Sequence, residues 1–203
     1  MFVSVNYRLT TGGPGSAQFP DHYDDVAAAI GWVRDNIAAH GGDSTRIAVL
    51  GHSAGADIVS NVVVNPVYLA DVGMALGDIA CAGPLDTEGF DKQASNDGGP
   101  VDETDQWLAA LGNNPDYLSA TSATGLIKPD IGIPPMIGVV RGIVRRQQIE
   151  TAFLDRLVDN GIAATSIDAS TLSHADVARR IGASGDTVMT PPLMQFLTNC
   201  FAS

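Results

Sequence analysis

"RIAVLGHSAGADIVS", residues 46–60, decides how this chain folds. Four of the five residues 46–50 are apolar, and the run stops at Gly51. That is the pattern of a short strand inside a parallel sheet. Ser53 stands between Gly51 and Gly55, and 54–64 reads as a helix ended by Asn65-Pro66. A strand that ends abruptly, a serine on the turn and a helix that starts at once present a serine Oγ at the end of a sheet. In a chain with 22 glycines the Gly-x-Ser-x-Gly pentad alone says little. The flanking strand and helix give it weight, against the plain alternative of a Gly-rich turn with no catalytic consequence.

Outward from the pentad, strand and helix alternate. "MFVSVNYRL" at the start reads as a buried strand, followed by a Gly- and Pro-rich loop at 10–20. Asp21 can cap a helix in which Val26, Ala29, Ile30, Val33 and Ile37 share one face, and "HGGD" stops it. Further strands are expected at 79–85, 135–140 and 163–168, with helices at 146–160 and 192–201. The stretch 87–133 is rich in Gly, Asp, Asn, Ser and Pro, and is expected to be an irregular cover with one helix around 102–111. The alternation predicts a single α/β domain over 1–203, with a mainly parallel sheet and helices on both faces.

Composition narrows the partners. The net charge of −12 argues against nucleic acid and anionic membrane surfaces. No apolar run is long enough to span a bilayer, and no signal peptide is visible at 1–9. No cluster of His, Cys, Asp or Glu has metal-ligand spacing and no phosphate-cradling glycine loop occurs, so neither metal nor cofactor is expected. Cys81 and Cys200 could form one bridge, but two buried thiols are the simpler expectation. Nothing indicates an oligomeric state.

The stretch "VSVNYRL…FPDHYDDVAAAIGWVRDNIAAHGGDSTRIAVLGHSAGADI" resembles the α/β-hydrolase esterases, in particular the carboxylesterase and hormone-sensitive-lipase-like group. "IPPMIGVVRG", "FLDRLVDNG" and "LSH" continue the resemblance through most of the chain. It implies hydrolysis of small carboxylic esters through an acyl-enzyme, without cofactor. Ser53 would be the nucleophile, and the backbone N–H of Ala54 one donor of the oxyanion hole. The order serine, acid, histidine leaves His174, in "STLSHADVARR", as the base. His22 and His40 read as exposed polar residues, and His52 as pointing away from the attacking oxygen.

The acid departs from the family pattern. The usual Gly-x-x-Asp setting is occupied by "RGIVRRQQ", with Arg145 where the carboxylate should be. A guanidinium has only donors and cannot orient a histidine as an acceptor. Asp86, directly after strand 79–85 in "GPLDTEGFD" beside Glu88 and Asp91, is the first choice. Asp168 is second and Asp130 third. The plain reading of Asp86 is a turn-forming aspartate.

The resemblance also implies strands ahead of residue 1 and an "HGGG"-like turn carrying further oxyanion donors, and no such motif occurs here. An N-terminally incomplete hydrolase domain is therefore expected. Two rivals to the esterase follow: a catalytically impaired fragment or hydrolase-like binding module, and a formamidase- or peptidase-like amide hydrolase on the same scaffold.

Overall fold

The computed structural model describes residues 1–96 and 104–202. Its centre is a four-stranded parallel sheet in the order β1-β2-β3-β4. The strands are β1 (Ile47–His52), β2 (Ile79–Leu85), β3 (Met136–Val140) and β4 (Ala164–Asp168). Each lies within two residues of its expected position.

Helix α1 (Asp21–Asn36) precedes β1, and α2 (Ala54–Val64) and α3 (Pro66–Ala70) follow it. Between β2 and β3 come α4 (Lys92–Asn96), α5 (Thr104–Ala110), α6 (Asp116–Ala120) and α7 (Ala123–Leu126). Helix α8 (Val144–Asp159) joins β3 to β4, and α9 (His174–Arg180) and α10 (Thr190–Cys200) close the chain. The expected cover at 87–133 is thus a string of short helices rather than mostly irregular chain. The first two residues of its expected helix, 102 and 103, lie outside the described residues.

Strand side chains alternate between two apolar layers, as a doubly covered sheet requires. Met136 joins the larger layer, where Ile30 of α1, Val62 of α2 and Phe153 of α8 pack. Ile137 and Val139 face the smaller one, closed by Val177 of α9 and Leu193 of α10. Phe90 and Phe153 stack at 4.1 Å between ring centres and pin the start of the cover onto α8. Among the described residues no helix is long and apolar enough to cross a membrane.

Three expectations need correction. Cys81 and Cys200 are bonded, with Cα atoms 6.1 Å apart, and tie α10 to β2. Closing 119 residues of sequence removes unfolded-chain entropy worth on the order of 4–5 kcal/mol. Asp21 is the first helical residue rather than the cap: Pro20 occupies the cap, and the Asp21 carboxylate accepts the Gln18 N–H and pairs with Arg8.

Residues 1–9 form no strand. Apolar composition does not make a strand without a ladder to join, and among the described residues β1 pairs with β2 alone. Met1 and Phe2 are exposed, and a groove of about 620 Å³ separates residues 1–5 from β1. Further along, Tyr7 packs on the core, and Arg8 binds Asp25 through its backbone N–H and its guanidinium.

Candidate active site

The carboxyl ends of parallel strands are where α/β sheets build their sites. The register sets His52 of β1 against Leu85 of β2. Ser53 and Asp86 are therefore the first residues beyond two adjacent strand ends, and the Ser53 N–H donates to Leu85 O at 3.2 Å. Both residues leave the sheet in left-handed backbone, Ser53 at φ 59° and Asp86 at φ 65°. Such geometry at a residue other than glycine costs about 1–3 kcal/mol, which the surrounding packing must overcome.

The sharpness of the turn at Ser53 depends on Gly51. A Cβ there would strike the backbone of Gly55 and Ala56, whereas a Cβ on Gly55 would meet open space. The two glycines of the pentad are thus unequal. Gly51→Ala should lower the Tm by about 6–12 °C, and Gly55→Ala by no more than about 3 °C. Thermal melts followed by circular dichroism read this directly, and equal losses would contradict it.

His174 opens α9 behind the Ser173 cap, whose side chain accepts the Asp176 N–H. Its ring reaches both strand ends. His174 Nδ1 lies 2.7 Å from Asp86 Oδ2, and Nε2 lies 2.8 Å from Ser53 Oγ. An ionised carboxylate can only accept, so Nδ1 carries the proton and Nε2 offers its lone pair to the Ser53 hydroxyl.

Asp86 is fully buried, and burial alone would push its carboxyl up. The Arg146 charge and hydrogen bonds from Arg141 and His174 outweigh that and hold it below the ordinary aspartate range. Arg141 Nη1 reaches both carboxylate oxygens at 3.0 Å, and Arg146 grips Oδ1 through Nε and Nη2 at 2.9 and 2.7 Å. Burial pushes nearby Glu150 up to about 8 against the Arg141 N–H bond and the Arg146 charge.

The structure brings together Ser53, Asp86 and His174, with Ala54 as the first residue of α2, where an N–H has no intrahelical acceptor. Asp168 and Asp130 are exposed and stand outside this constellation; Asp168 accepts the Ser170 N–H instead. Asp91 accepts the Ala94 N–H, and buried Glu88 lies between Arg145 and Arg146.

His22 differs from its expected place, and His52 has a partner that the sequence did not indicate. His22 is half-buried, hydrogen-bonded to Thr10, and lines the site cavity, where burial lowers its pKa. His52 lies beside the His174 ring at 4.5 Å and donates from Nε2 to His174 O at 2.9 Å, so it braces that residue. Burial above all, then the neighbouring His174, keeps His52 from charging. His52, Asp86 and His174 bring ligand-type atoms within 4.8 Å of one another, but the two guanidiniums on Asp86 oppose a cation there.

Sequence reading missed the buried cluster beneath the serine. Asp57, one helical turn after Ser53, accepts from Lys92 Nζ, Tyr23 Oη and Asn61 Nδ2. Lys92 is buried as well and also donates to Gly89 O and Thr121 O. The signal was Asp57 itself, the one charge on a mainly apolar helix.

Above these groups a cavity of about 780 Å³ opens on Ser53 and His174, with apolar walls from Leu9, Phe19, Trp107 and Leu111.

The architecture is that of the α/β-hydrolase fold. Residues 1–83 match the model of the carboxylesterase family. Human "Carboxylesterase 3" is 43% identical over 70 residues, which make up 32% of this chain and 12% of that protein. "Carboxylesterase NlhH" of Mycobacterium tuberculosis is 50% identical over 56 residues, 28% of this chain and 16% of that protein. The matches therefore span well under two thirds of these relatives. Among solved structures, a truncated form of carbohydrate esterase from gut microbiota superposes with TM-score 0.78 at 19% identity, covering 98% of this chain and 74% of that one. A Pyrobaculum calidifontis esterase gives 0.71 at 18% identity, covering 97% of this chain and 64% of that one. At such identities these two likenesses speak for the fold alone.

Proposed function

We propose that this chain hydrolyses small carboxylic esters through an acyl-enzyme on Ser53. The observation that carries the reading is the unbroken hydrogen-bond chain from Asp86 through His174 to Ser53. His174 Nε2 takes the hydroxyl proton as Ser53 Oγ attacks the ester carbonyl. Asp86 holds the ring in that tautomer and offsets the charge it gains. The Ala54 N–H donates to the developing oxyanion. His174 then protonates the leaving alcohol, and water repeats the sequence in reverse to free the acid. The carboxylesterase match over residues 1–83 supports an ester rather than an amide as the bond cleaved.

The open groove beside β1 favours a second reading, in which Ser53 acylates but turnover is slow, since each oxyanion donor that a site lacks costs about 10²–10³ in turnover. Stopped-flow mixing with p-nitrophenyl acetate tests both. A nitrophenolate burst stoichiometric with Ser53 is expected, and the steady rate after it distinguishes the efficient from the impaired enzyme. Folded protein with neither burst nor turnover would refute the esterase. Faster cleavage of p-nitroacetanilide than of the ester would replace it by an amidase.

A further inference from the structure

Three arginines, Arg141, Arg145 and Arg146, stand at the mouth of β3 and the start of α8, and all three line the site cavity. Two of them are spent. Arg141 and Arg146 close on Asp86, and Arg146 also approaches Glu88 at 3.4 Å and Glu150 at 3.3 Å.

Arg145 is different. Its Nε and Nη1 are shielded from solvent and have no hydrogen-bond partner among the described residues. Among those residues its one ionic neighbour is Glu88, at 3.6 Å from Nη2, too far for a hydrogen bond. A guanidinium cannot shed its charge, so a buried fork with open donors lowers stability unless something fills it. Nor does the helix gain from it, since a cation in the first turn opposes the helix dipole and no acidic residue balances it there.

The local charge count agrees. Three guanidiniums face Asp86, Glu88 and Glu150, and burial pushes Glu150 up to about 8, which thins the negative charge around them. Trp107 Nε1, a further donor without a partner among the described residues, lines the same cavity.

We propose that Arg145 forms an anion subsite for a carboxylate carried by the ester substrate. The inference rests on the esterase reading and names its substrate class: esters of dicarboxylic or carboxylate-bearing acids or alcohols. Nη2, the guanidinium nitrogen that is not shielded, can donate a charge-assisted hydrogen bond to a carboxylate oxygen entering from the cavity. A cavity of about 780 Å³ holds both the reacting ester and a second functional group. The net charge of −12 would repel an anion at long range, but screening confines that repulsion to about 8–10 Å, inside which the Arg145 guanidinium acts.

The test compares mono-p-nitrophenyl glutarate with p-nitrophenyl valerate, a neutral ester of the same length. The native protein should favour the glutarate by about 10- to 100-fold in kcat/KM. Arg145→Gln should abolish that preference, and Arg145→Lys, which keeps the charge but not the fork, should retain part of it. In parallel, monomethyl glutarate is titrated calorimetrically into Ser53→Ala protein with and without Arg145→Gln. Binding should weaken at least about 10-fold without the guanidinium. Arg145-dependent binding without hydrolysis of either ester supports the subsite and refutes the esterase. Hydrolysis of both esters with no preference, or binding indifferent to Arg145, overturns the subsite and leaves the esterase standing. If Arg145→Gln fails to fold, Arg145→Lys carries the comparison, and an unchanged preference there together with neutral-ester selectivity in the native protein also overturns it.

Discussion

Asp86→Asn should lower kcat on p-nitrophenyl acetate by about 10⁴-fold, while Asp168→Asn leaves it at the native value. The carboxamide can present an N–H to His174 Nδ1, which favours the tautomer whose Nε2 carries the proton and cannot accept one from Ser53. It also leaves Arg141 and Arg146 facing each other without the carboxylate they now share. Melting curves in the same buffers separate lost chemistry from lost folding. The sign of the pH effect follows from the lowered Asp86 pKa. Its stabilising contribution is complete above the unfolded aspartate value and disappears as pH falls through the folded one. The acid limb of the stability curve should therefore be shallower in Asp86→Asn. A native rate in Asp86→Asn with a dead Asp168→Asn would reverse the assignment.

Ser53→Ala should cost more, about 10⁶-fold in kcat, because on the proposed mechanism it removes the group that forms the covalent bond. The substitution is structurally mild. Alanine keeps the Cβ and hence the φ 59° strain, and it gives up the single side-chain hydrogen bond to His174. Ser53→Gly should be equally inactive yet melt higher than Ser53→Ala, since glycine takes positive φ without strain. That pair of results would locate the cost of the turn at the nucleophile itself. Equal melting temperatures would show that the surrounding packing, not the residue, sets the turn.

The parallel sheet and its helices were legible because each strand is short, apolar and bounded by turn residues, and each long helix keeps one apolar face. The serine was legible because local spacing alone makes a strand–turn–helix. His174 needed the family order, and Asp86 needed the observation that Arg145 stands where a carboxylate was expected. The arginine grip on Asp86 was out of reach, since Arg141 and Arg146 lie 55 and 60 residues away and meet it only through the β2–β3 neighbourhood. The Asp57–Lys92 pair was hidden likewise, 35 residues apart. Residues 1–9 misled for the opposite reason. Their composition suits a strand, but a strand is a pairing, and no composition reports whether a partner lies alongside. The disulfide was hidden by its 119-residue separation, which spacing rules cannot bridge.

Everything proposed for this site requires Ser53 to be an activated nucleophile. The most direct measurement of that is labelling with a fluorophosphonate, followed by peptide mass spectrometry. The reagent reacts with a serine whose proton has a base to go to, whatever the natural substrate. One label per chain is expected, on the peptide that contains Ser53, and none in Ser53→Ala or after His174→Gln. Labelling that survives Ser53→Ala, or that falls on another serine in the native protein, would contradict the assignment of Ser53, His174 and Asp86 as one catalytic unit.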